Sequence, residues 1–163
     1  MMTVIKNYKQ AKKLNKFRAA ATLLFRDENN KILLVKSFDK NHWGLVGGVA
    51  EKEETLRRTA EREVLEEIGL VKKAGRLLKL GCLKRKMDSR TDEAILAIFD
   101  GGVITEKEKK EIKLQKDEIE KINFFREDEV VGRLKEKSFT QLVTKSVLKN
   151  NGSESNVYLE KEE

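Results

Sequence analysis

Three glutamates in the middle of the chain have the spacing of a metal-binding surface. Glu63, Glu66 and Glu67 stand at positions i, i+3 and i+4, and side chains at these offsets are neighbours on one face of an α-helix. Three carboxylates held this way repel each other, whereas a divalent cation would reverse the effect, because carboxylate oxygens are natural ligands of Mg²⁺ and Mn²⁺. An ordinary charged surface helix also meets this spacing, so the three residues alone do not establish a site.

The segment around these glutamates opposes the charge of the whole chain. Residues 51–67 contain seven acidic and four basic side chains, whereas the full chain has a formal net charge of +7. Apolar residues recur every four positions from Leu56 to Ile68 and predict a helix over 53–68. On a helical wheel the acidic stripe lies beside the apolar stripe and partly overlaps it. This position favours a half-sheltered metal site over a purely solvated face.

A longer pattern decides between these interpretations. Nine positions match the Nudix box, G-x5-E-x7-R-E-U-x-E-E-x-G-U, in which U is a bulky aliphatic residue. They are Gly48, Glu54, Arg62, Glu63, Val64, Glu66, Glu67, Gly69 and Leu70. The run from Trp43 to Gly48 resembles the W-x-L-P-G-G segment that often precedes the box, with Val46 in place of proline. The chain therefore resembles the Nudix hydrolases.

The resemblance implies a fold and a role for each box residue. The fold would be an α/β/α sandwich with a central mixed β-sheet, beside which the box forms a loop, a helix and a second loop. The catalytic ligands of Mg²⁺ or Mn²⁺ would be Glu63, Glu66 and Glu67, with the carbonyl of Gly47 as a further metal ligand. Glu54 and Arg62 would form an ion pair that fixes the loop. Gly48 and Gly69 would supply backbone conformations that other residues resist.

The resemblance also implies Mg²⁺-dependent hydrolysis of a phosphoanhydride bond. Metal ions neutralise the phosphate oxygens, which otherwise repel hydroxide, and they acidify a bound water. The expected substrate is a nucleoside diphosphate linked to another group, in the first place a (d)NTP-type nucleotide. An ADP-ribose or nucleotide-sugar pyrophosphatase is the alternative. A basic nucleic-acid-binding or RNA-processing module is the alternative from another class, and a degenerate sensor or scaffold ranks last because every box carboxylate is present.

The box constrains the proton acceptor and the substrate contacts less strongly. Glu63 is the first choice as a base as well as a ligand, and Glu106 and Glu118 are candidates further along the chain. The candidate substrate contacts are Arg18, Lys36 and Trp43. The first two lie on a predicted hairpin that commonly faces the nucleotide in this fold. The tryptophan is compatible with stacking on a base and, equally, with filling the core.

The rest of the chain predicts the elements that position these residues. Apolar runs bounded by turn-forming residues predict strands, and these span 17–25, 32–36, 44–48, 76–86, 93–99 and 122–125. Gly101 and Gly102 are expected to break the fifth strand. Residues 106–120, rich in Lys and Glu, are expected to form a loop or a marginal helix. Further helices are predicted over 127–134 and 138–148.

Length and composition complete the expectations. Strands on both sides of one helix predict a single α/β domain over 1–150, followed by a flexible tail over 151–163. The basic balance favours polyanionic partners, but aromatic residues make up only 6% of the chain, so a small nucleotide is expected rather than nucleic acid. A single cysteine and the lack of a membrane-length apolar run predict a cytoplasmic protein with no membrane partner. A monomer or a homodimer is expected.

Overall fold

A computed structural model describes residues 17–87, 90–149 and 158–162. The strands are β1 (Arg18–Asp27), β2 (Ile32–Ser37), β3 (Val46–Val49), β4 (Leu77–Met87), β5 (Arg90–Ile104), β6 (Ile119–Phe125) and β7 (Tyr158–Glu162). The helices are α1 (Leu56–Ile68), α2 (Glu106–Glu111), α3 (Glu127–Arg133) and α4 (Phe139–Lys149). The predicted domain and tail extend over 1–16, 150–157 and 163, which lie outside the described residues.

The strands form one mixed sheet, as the sequence predicts. Its order is β6-β2-β1-β5-β4-β7, and β3 pairs with β1 off this path. The β1–β5 and β4–β7 pairs are parallel, whereas the other pairs are antiparallel. Strand β1 therefore lies at the centre, and along one edge it pairs first with β3 and then with β2.

Helices cover both faces of the sheet, so the predicted α/β/α arrangement is confirmed. One face packs on α1, and its core includes Ala21, Leu23, Phe25, Ala60, Val64 and Ile68. The other face packs on α3 and α4, and its core includes Leu24, Leu34, Leu96, Val130, Val143 and Val147. Successive residues of β1 alternate between these two cores, because side chains of a strand point to opposite faces. No helix in the described part of the chain has the length and apolar character that crossing a membrane requires.

Helix α1 is shorter at its start than the sequence predicts. The helix begins at Leu56 rather than at Glu53, because the Thr55 side chain accepts a hydrogen bond from the Arg58 N–H and acts as the N-cap. Glu53 has a positive φ of 67° and belongs to the preceding turn. At the other end, Gly69 adopts a left-handed conformation, and its N–H donates to the Leu65 carbonyl. The predicted glycine cap is therefore confirmed.

The predicted break at Gly101 and Gly102 is wrong. Strand β5 continues to Ile104, and its pairing with β1 shifts register where Leu24 opposes Asp100 and Phe25 opposes Gly102. The extra residue forms a β-bulge, in which one strand carries a residue that the partner does not match. The glycines therefore bend the strand without ending it.

The expected flexible tail contains a strand. Tyr158–Glu162 form β7, which runs parallel to β4 and pairs Leu80 with Tyr158. Strand β4 presents unpaired backbone groups at the edge of the sheet, and an added strand satisfies them. A short polar segment can pair in this way without the apolar alternation on which the sequence prediction relied.

A buried carboxylate connects the β1–β2 turn to α2. Asp27 is 4% exposed, and it accepts hydrogen bonds from the N–H groups of Asn29 and Lys31 and from Lys109 Nζ, the last at 2.9 Å. Burial by itself would raise the pKa of Asp27, but the hydrogen bonds from Lys109, Lys31 and Asn29 outweigh it and lower the pKa. The ionised form therefore stabilises the fold.

We expect Asp27→Asn to lower the free energy of unfolding by about 1–2 kcal/mol near neutral pH, because the charged partner of Lys109 is lost. Since the pKa of Asp27 is lower in the folded state, this contribution is present above about pH 4 and is lost as the pH falls through the folded-state value. Urea unfolding near pH 7 and pH 3 measures the difference. Glu106→Gln is the matched control, because Glu106 binds the same Lys109 from an exposed position. Equal losses for the two variants would contradict the prediction.

Candidate active site

One guanidinium connects the loop before α1 to the acidic face of the helix. Arg62 donates to both carboxylate oxygens of Glu54, at 2.8 and 3.1 Å. Its Nη1 donates to Glu63 at 2.9 Å and to Glu66 at 2.8 Å, and its Nη2 reaches the Val49 carbonyl at 3.3 Å. The predicted Glu54–Arg62 pair is therefore present, and the same side chain also holds two of the three helix glutamates and the end of β3.

Glu54 is fixed by more than this ion pair. Its carboxylate also accepts hydrogen bonds from the Glu51 N–H at 3.0 Å and from the Thr59 hydroxyl at 2.9 Å. Hydrogen bonds from Arg62, then from the Glu51 backbone, lower the pKa of Glu54 to about 2. The loop therefore presents a permanently ionised carboxylate to Arg62.

Two adjacent glycines bring β3 against the acidic face of α1. The Gly47 N–H donates to Glu67 Oε2 at 2.9 Å. A side chain at Gly48 would collide with the Glu63 carboxylate, so this glycine makes room for the glutamate. Gly47 has a φ of 143°, whereas Gly48 shows no positive φ. The expectation that Gly48 supplies an unusual backbone conformation is therefore wrong: its lack of a side chain is what the site requires.

The three helix glutamates differ in their surroundings. The side chains of Glu63 and Glu66 are 14% and 48% exposed, and Glu67 is 5% exposed. Burial raises the pKa of Glu67 to about 8, and the nearby carboxylates of Glu63 and Glu118 add to this effect. Burial also raises the pKa of Glu63, against the opposing effect of Arg62. The negative charge of an ionised Glu67 is therefore unfavourable unless a cation lies beside it.

The residues suit a divalent cation. No three acidic, histidine or cysteine side chains within 17–87, 90–149 and 158–162 are already gathered as ligands of one ion. The donor set nevertheless fits a divalent cation. Glu67 is buried, and its hydrogen-bond partner is a backbone N–H. Glu63 and Glu66 share one guanidinium. A hard cation would compensate this charge, and carboxylate oxygens are the ligands that it prefers.

A cleft of about 270 Å³ is lined by Glu67 and by residues of β1, β2 and β3. Its walls include Val35, Trp43, Leu45, Leu96 and Leu134, and its polar rim includes Lys40, His42, Lys135, Ser138 and Thr140. Burial lowers the pKa of His42, and the ammonium groups of Lys135 and Lys40 lower it further. The rim is therefore cationic, and an apolar interior lies between it and the acidic helix.

Comparison with protein families identifies this arrangement. A family model described as the NUDIX domain matches residues 16–145. The chain belongs to the Nudix family. Members of this family are hydrolases that act on pyrophosphate bonds. A comparison with curated proteins found no significant match.

Solved structures agree with the Nudix fold. A MutT protein from Methanosarcina mazei Go1 superposes with a TM-score of 0.67 at 21% identity, covering 86% of this chain and 100% of that one. A UDP-X diphosphatase gives 0.65 at 20% identity, covering 93% and 70%. An ADP-ribose pyrophosphatase from Streptococcus suis gives 0.57 at 24% identity, covering 90% and 100%. At these sequence identities, the similarity shows that the Nudix chain has the same fold as these structures.

The three predicted substrate contacts lie at different places in the structure. Trp43 lines the cleft and also packs edge-on against Phe125, with ring centroids 4.9 Å apart. It therefore contributes to the core, and its stacking on a base stays a prediction. Lys36 lies outside the cleft, with its Nζ 3.0 Å from Glu120 across the β2–β6 pair. Arg18 lines a neighbouring compartment rather than the cleft itself.

The candidate bases Glu118 and Glu106 also lie in different places. Glu118 lies near enough to Glu63 and Glu67 to raise the pKa of both. It comes into place because the segment after α2 returns to the end of α1, where the Gln115 N–H donates to the Glu67 carbonyl. Glu106 instead binds Lys109 at 2.6 Å, next to Asp27. Glu118 therefore joins the acidic cluster of this Nudix site, whereas Glu106 does not.

Several residues of the cleft were not predicted from the sequence. Lys40 and Thr22 lie near residues that were predicted, but neither belongs to a motif. Lys135 and Ser138 lie between α3 and α4, Thr140 lies in the first turn of α4, and all three reach the cleft through the folding of the chain. A lysine and two hydroxyl residues at a helix start carry no local signal of ligand binding.

We expect Arg62→Lys to lower the free energy of unfolding by about 1–3 kcal/mol, because an ammonium cannot replace five hydrogen bonds of a planar guanidinium. Urea unfolding measures the loss. Arg58→Lys is the matched control, since Arg58 is an exposed arginine of the same helix. The role assigned to Arg62 would be refuted by a variant as stable as that control.

Proposed function

We propose that this Nudix protein hydrolyses a phosphoanhydride bond in a nucleoside diphosphate linked to another group, in the first place a (d)NTP-type nucleotide. Glu63, Glu66 and Glu67, together with the Gly47 carbonyl, would bind Mg²⁺ or Mn²⁺. The observation that carries this proposal is the buried Glu67 carboxylate at one end of a cleft with a cationic rim. The acidic end suits a metal, and the cationic rim suits a polyphosphate.

In the proposed mechanism, the acidic and basic side chains have different roles. When bound, Mg²⁺ neutralises phosphate oxygens and lowers the pKa of a bound water. Arg62 orients Glu63 and Glu66, and the loop acid Glu54 fixes Arg62 in turn. Lys40 and Lys135 attract the phosphates towards the cleft and stabilise negative charge there. Glu63 accepts the proton of the attacking water on a carboxylate oxygen.

The apolar part of the cleft suits a nucleoside. Its apolar walls are aliphatic except for Trp43, a partly buried residue. Ligand sites are commonly apolar with a few polar groups that fix orientation. A planar base would bury its faces among these side chains, and the phosphates would extend towards Glu67.

A second compartment supports the alternative substrate class. It measures about 390 Å³ and shares Ala20, Val49, Leu96 and Lys135 with the cleft. Arg18 and Lys137 add cationic groups to its lining. An additional sugar or nucleoside would have room there, so an ADP-ribose or nucleotide-sugar pyrophosphatase is the second candidate. Solved structures of an ADP-ribose pyrophosphatase and a UDP-X diphosphatase share the fold.

Incubation with Mg²⁺ and a panel of nucleotides tests the proposal and separates the candidates. The panel contains nucleoside triphosphates, ADP-ribose and nucleotide sugars, and phosphate, pyrophosphate and nucleoside monophosphate are measured as products. Preferred turnover of triphosphates supports the first candidate, whereas preferred turnover of the larger diphosphates supports the second. We further propose a single cytoplasmic domain that acts as a monomer or a homodimer, and whose sheet includes β7 beyond the predicted boundary at residue 150.

We expect the pair Glu66→Gln and Glu67→Gln to lower kcat/KM at least about 100-fold, which corresponds to about 2.7 kcal/mol. Two carboxylate ligands become neutral amides, while the helix keeps its length and packing. Glu53→Gln is the control, because its side chain is 84% exposed in the turn before α1. Circular dichroism confirms that each variant is folded. Full turnover by the folded double variant would remove the proposed metal site.

The identity of the proton acceptor generates a separate prediction. We expect Glu118→Gln to lower kcat less than about 10-fold, because general-base catalysis is usually worth about 10²–10⁴-fold and Glu63 is assigned that role. Steady-state kinetics at saturating Mg²⁺ measures the effect, with Glu106→Gln as the control for a glutamate outside the cluster. A kcat loss of 100-fold or more for Glu118→Gln, with KM unchanged, would transfer the role to Glu118.

A further inference from the structure

Thr22 carries a buried hydroxyl that the fold does not satisfy. The residue is 7% exposed, and within the described residues its Oγ1 has no hydrogen-bond partner. Folded proteins pair nearly all buried polar groups, because an unpaired group loses its hydration without compensation. Thr22 also lines the cleft that begins at Glu67. The residue that carries the unpaired hydroxyl therefore borders the cleft.

The backbone fixes the position of this side chain. Thr22 lies on β1 and pairs with Gly47 of β3. A side chain at Gly47 would collide with the Cγ2 methyl of Thr22, so the methyl lies over the glycine. The same Gly47 donates its N–H to Glu67. Thr22 is thus one strand away from the acidic cluster, and its methyl already packs on a neighbour while its hydroxyl remains unused.

The surroundings of Thr22 indicate which ligand group it meets. The nearby walls of the cleft are apolar and include Val35, Leu45, Leu96 and Leu134. Its cationic groups, Lys40 and Lys135, lie at the exposed rim. Phosphates would be drawn to the rim and to the metal ligands, which leaves the apolar interior to an uncharged part of the ligand. A hydroxyl both donates and accepts a hydrogen bond, so it suits the polar edge of a nucleobase.

We propose that Thr22 is a specificity-determining residue, whose Oγ1 forms a hydrogen bond with the polar edge of the substrate's base. This inference rests on the proposed function, because it assigns a base to the cleft of a nucleotide hydrolase. It adds a residue that recognises the uncharged end of the substrate. Binding would supply the partner that the folded chain does not.

Thr22→Val tests the proposal, because valine keeps the shape of threonine and replaces the hydroxyl by a methyl group. We expect kcat/KM for the preferred nucleotide, chosen from ATP, GTP, CTP and UTP with Mg²⁺, to fall about tenfold, mainly through KM. The melting temperature of the variant without nucleotide should equal or exceed that of the wild type, since no protein hydrogen bond is lost. Thr22→Ser keeps the hydroxyl and should retain most of the specificity among the four nucleotides.

Thr144→Val is the matched control. Thr144 on α4 also has a fully buried hydroxyl without a partner among the described residues, but it does not line the cleft. We expect this variant to keep the stability and the kcat/KM of the wild type. An unchanged kcat/KM and nucleotide preference in Thr22→Val would overturn the inference. A lowered melting temperature with unchanged kinetics would overturn it as well, because the hydroxyl would then have a structural role.

Nucleotide-induced shifts of the melting temperature separate this inference from the proposed function. If the wild type hydrolyses nucleotides while Thr22→Val binds them equally well, the inference fails and the function stands. If the wild type binds nucleotides without hydrolysing them and Thr22→Val binds more weakly, the function fails and the inference stands. A wild type that binds none of the four nucleotides overturns both.

Discussion

The active site depends on one arginine placed between carboxylates of different segments. Arg62 donates hydrogen bonds to both carboxylate oxygens of the loop acid Glu54. At the same time it donates to Glu63 and Glu66 on the helix. Like charges on one helix face repel each other, and the guanidinium offsets that repulsion for two of them. Glu67 has no share in this network and is the most buried of the three. The fold therefore neutralises part of the cluster and leaves its innermost carboxylate for a cation to compensate.

This charge distribution is useful only if the backbone can approach the helix closely. Strand β3 reaches α1 through Gly47 and Gly48, one of which donates to Glu67 while the other leaves room for Glu63. A side chain at Gly48 would collide with the Glu63 carboxylate, whereas one at Gly47 would collide with Ala21 and Thr22 of β1. The two glycines thus allow β3 to lie close to both the helix and β1, and Arg62 holds the carboxylates of Glu63 and Glu66. Both constraints are local to the box, which explains why one short segment suffices to specify the acidic end of the site.

Features that depend on residues close together in the chain could be predicted from the sequence. The period of the apolar residues and the cap at Gly69 are local, so α1 and its acidic face were predictable. Only the predicted start of the helix was wrong, because Thr55 caps it. The bulge at Gly101 depends on the register between β1 and β5, which are distant in the chain. Lys135 and Ser138 enter the cleft because α3 and α4 pack on the sheet. Their residue types carry no signal until the topology is known.

The cleft itself arises from the way β1 changes partners. Near Ala20–Leu23 the strand pairs with β3, whereas near Arg26 it pairs with β2. Thr22 lies in the first of these stretches, and Val35 of β2 forms an isolated bridge with Gly44, the chain segment that leads to β3; all three line the cleft. Since Glu67 comes from the helix on one face while Leu134 and Ser138 come from the other, the cleft connects the two layers. The cleft therefore joins an acidic end beside α1 to an apolar end beside the other layer. The mixed topology of the sheet thus lets one cavity take residues from both layers of the fold.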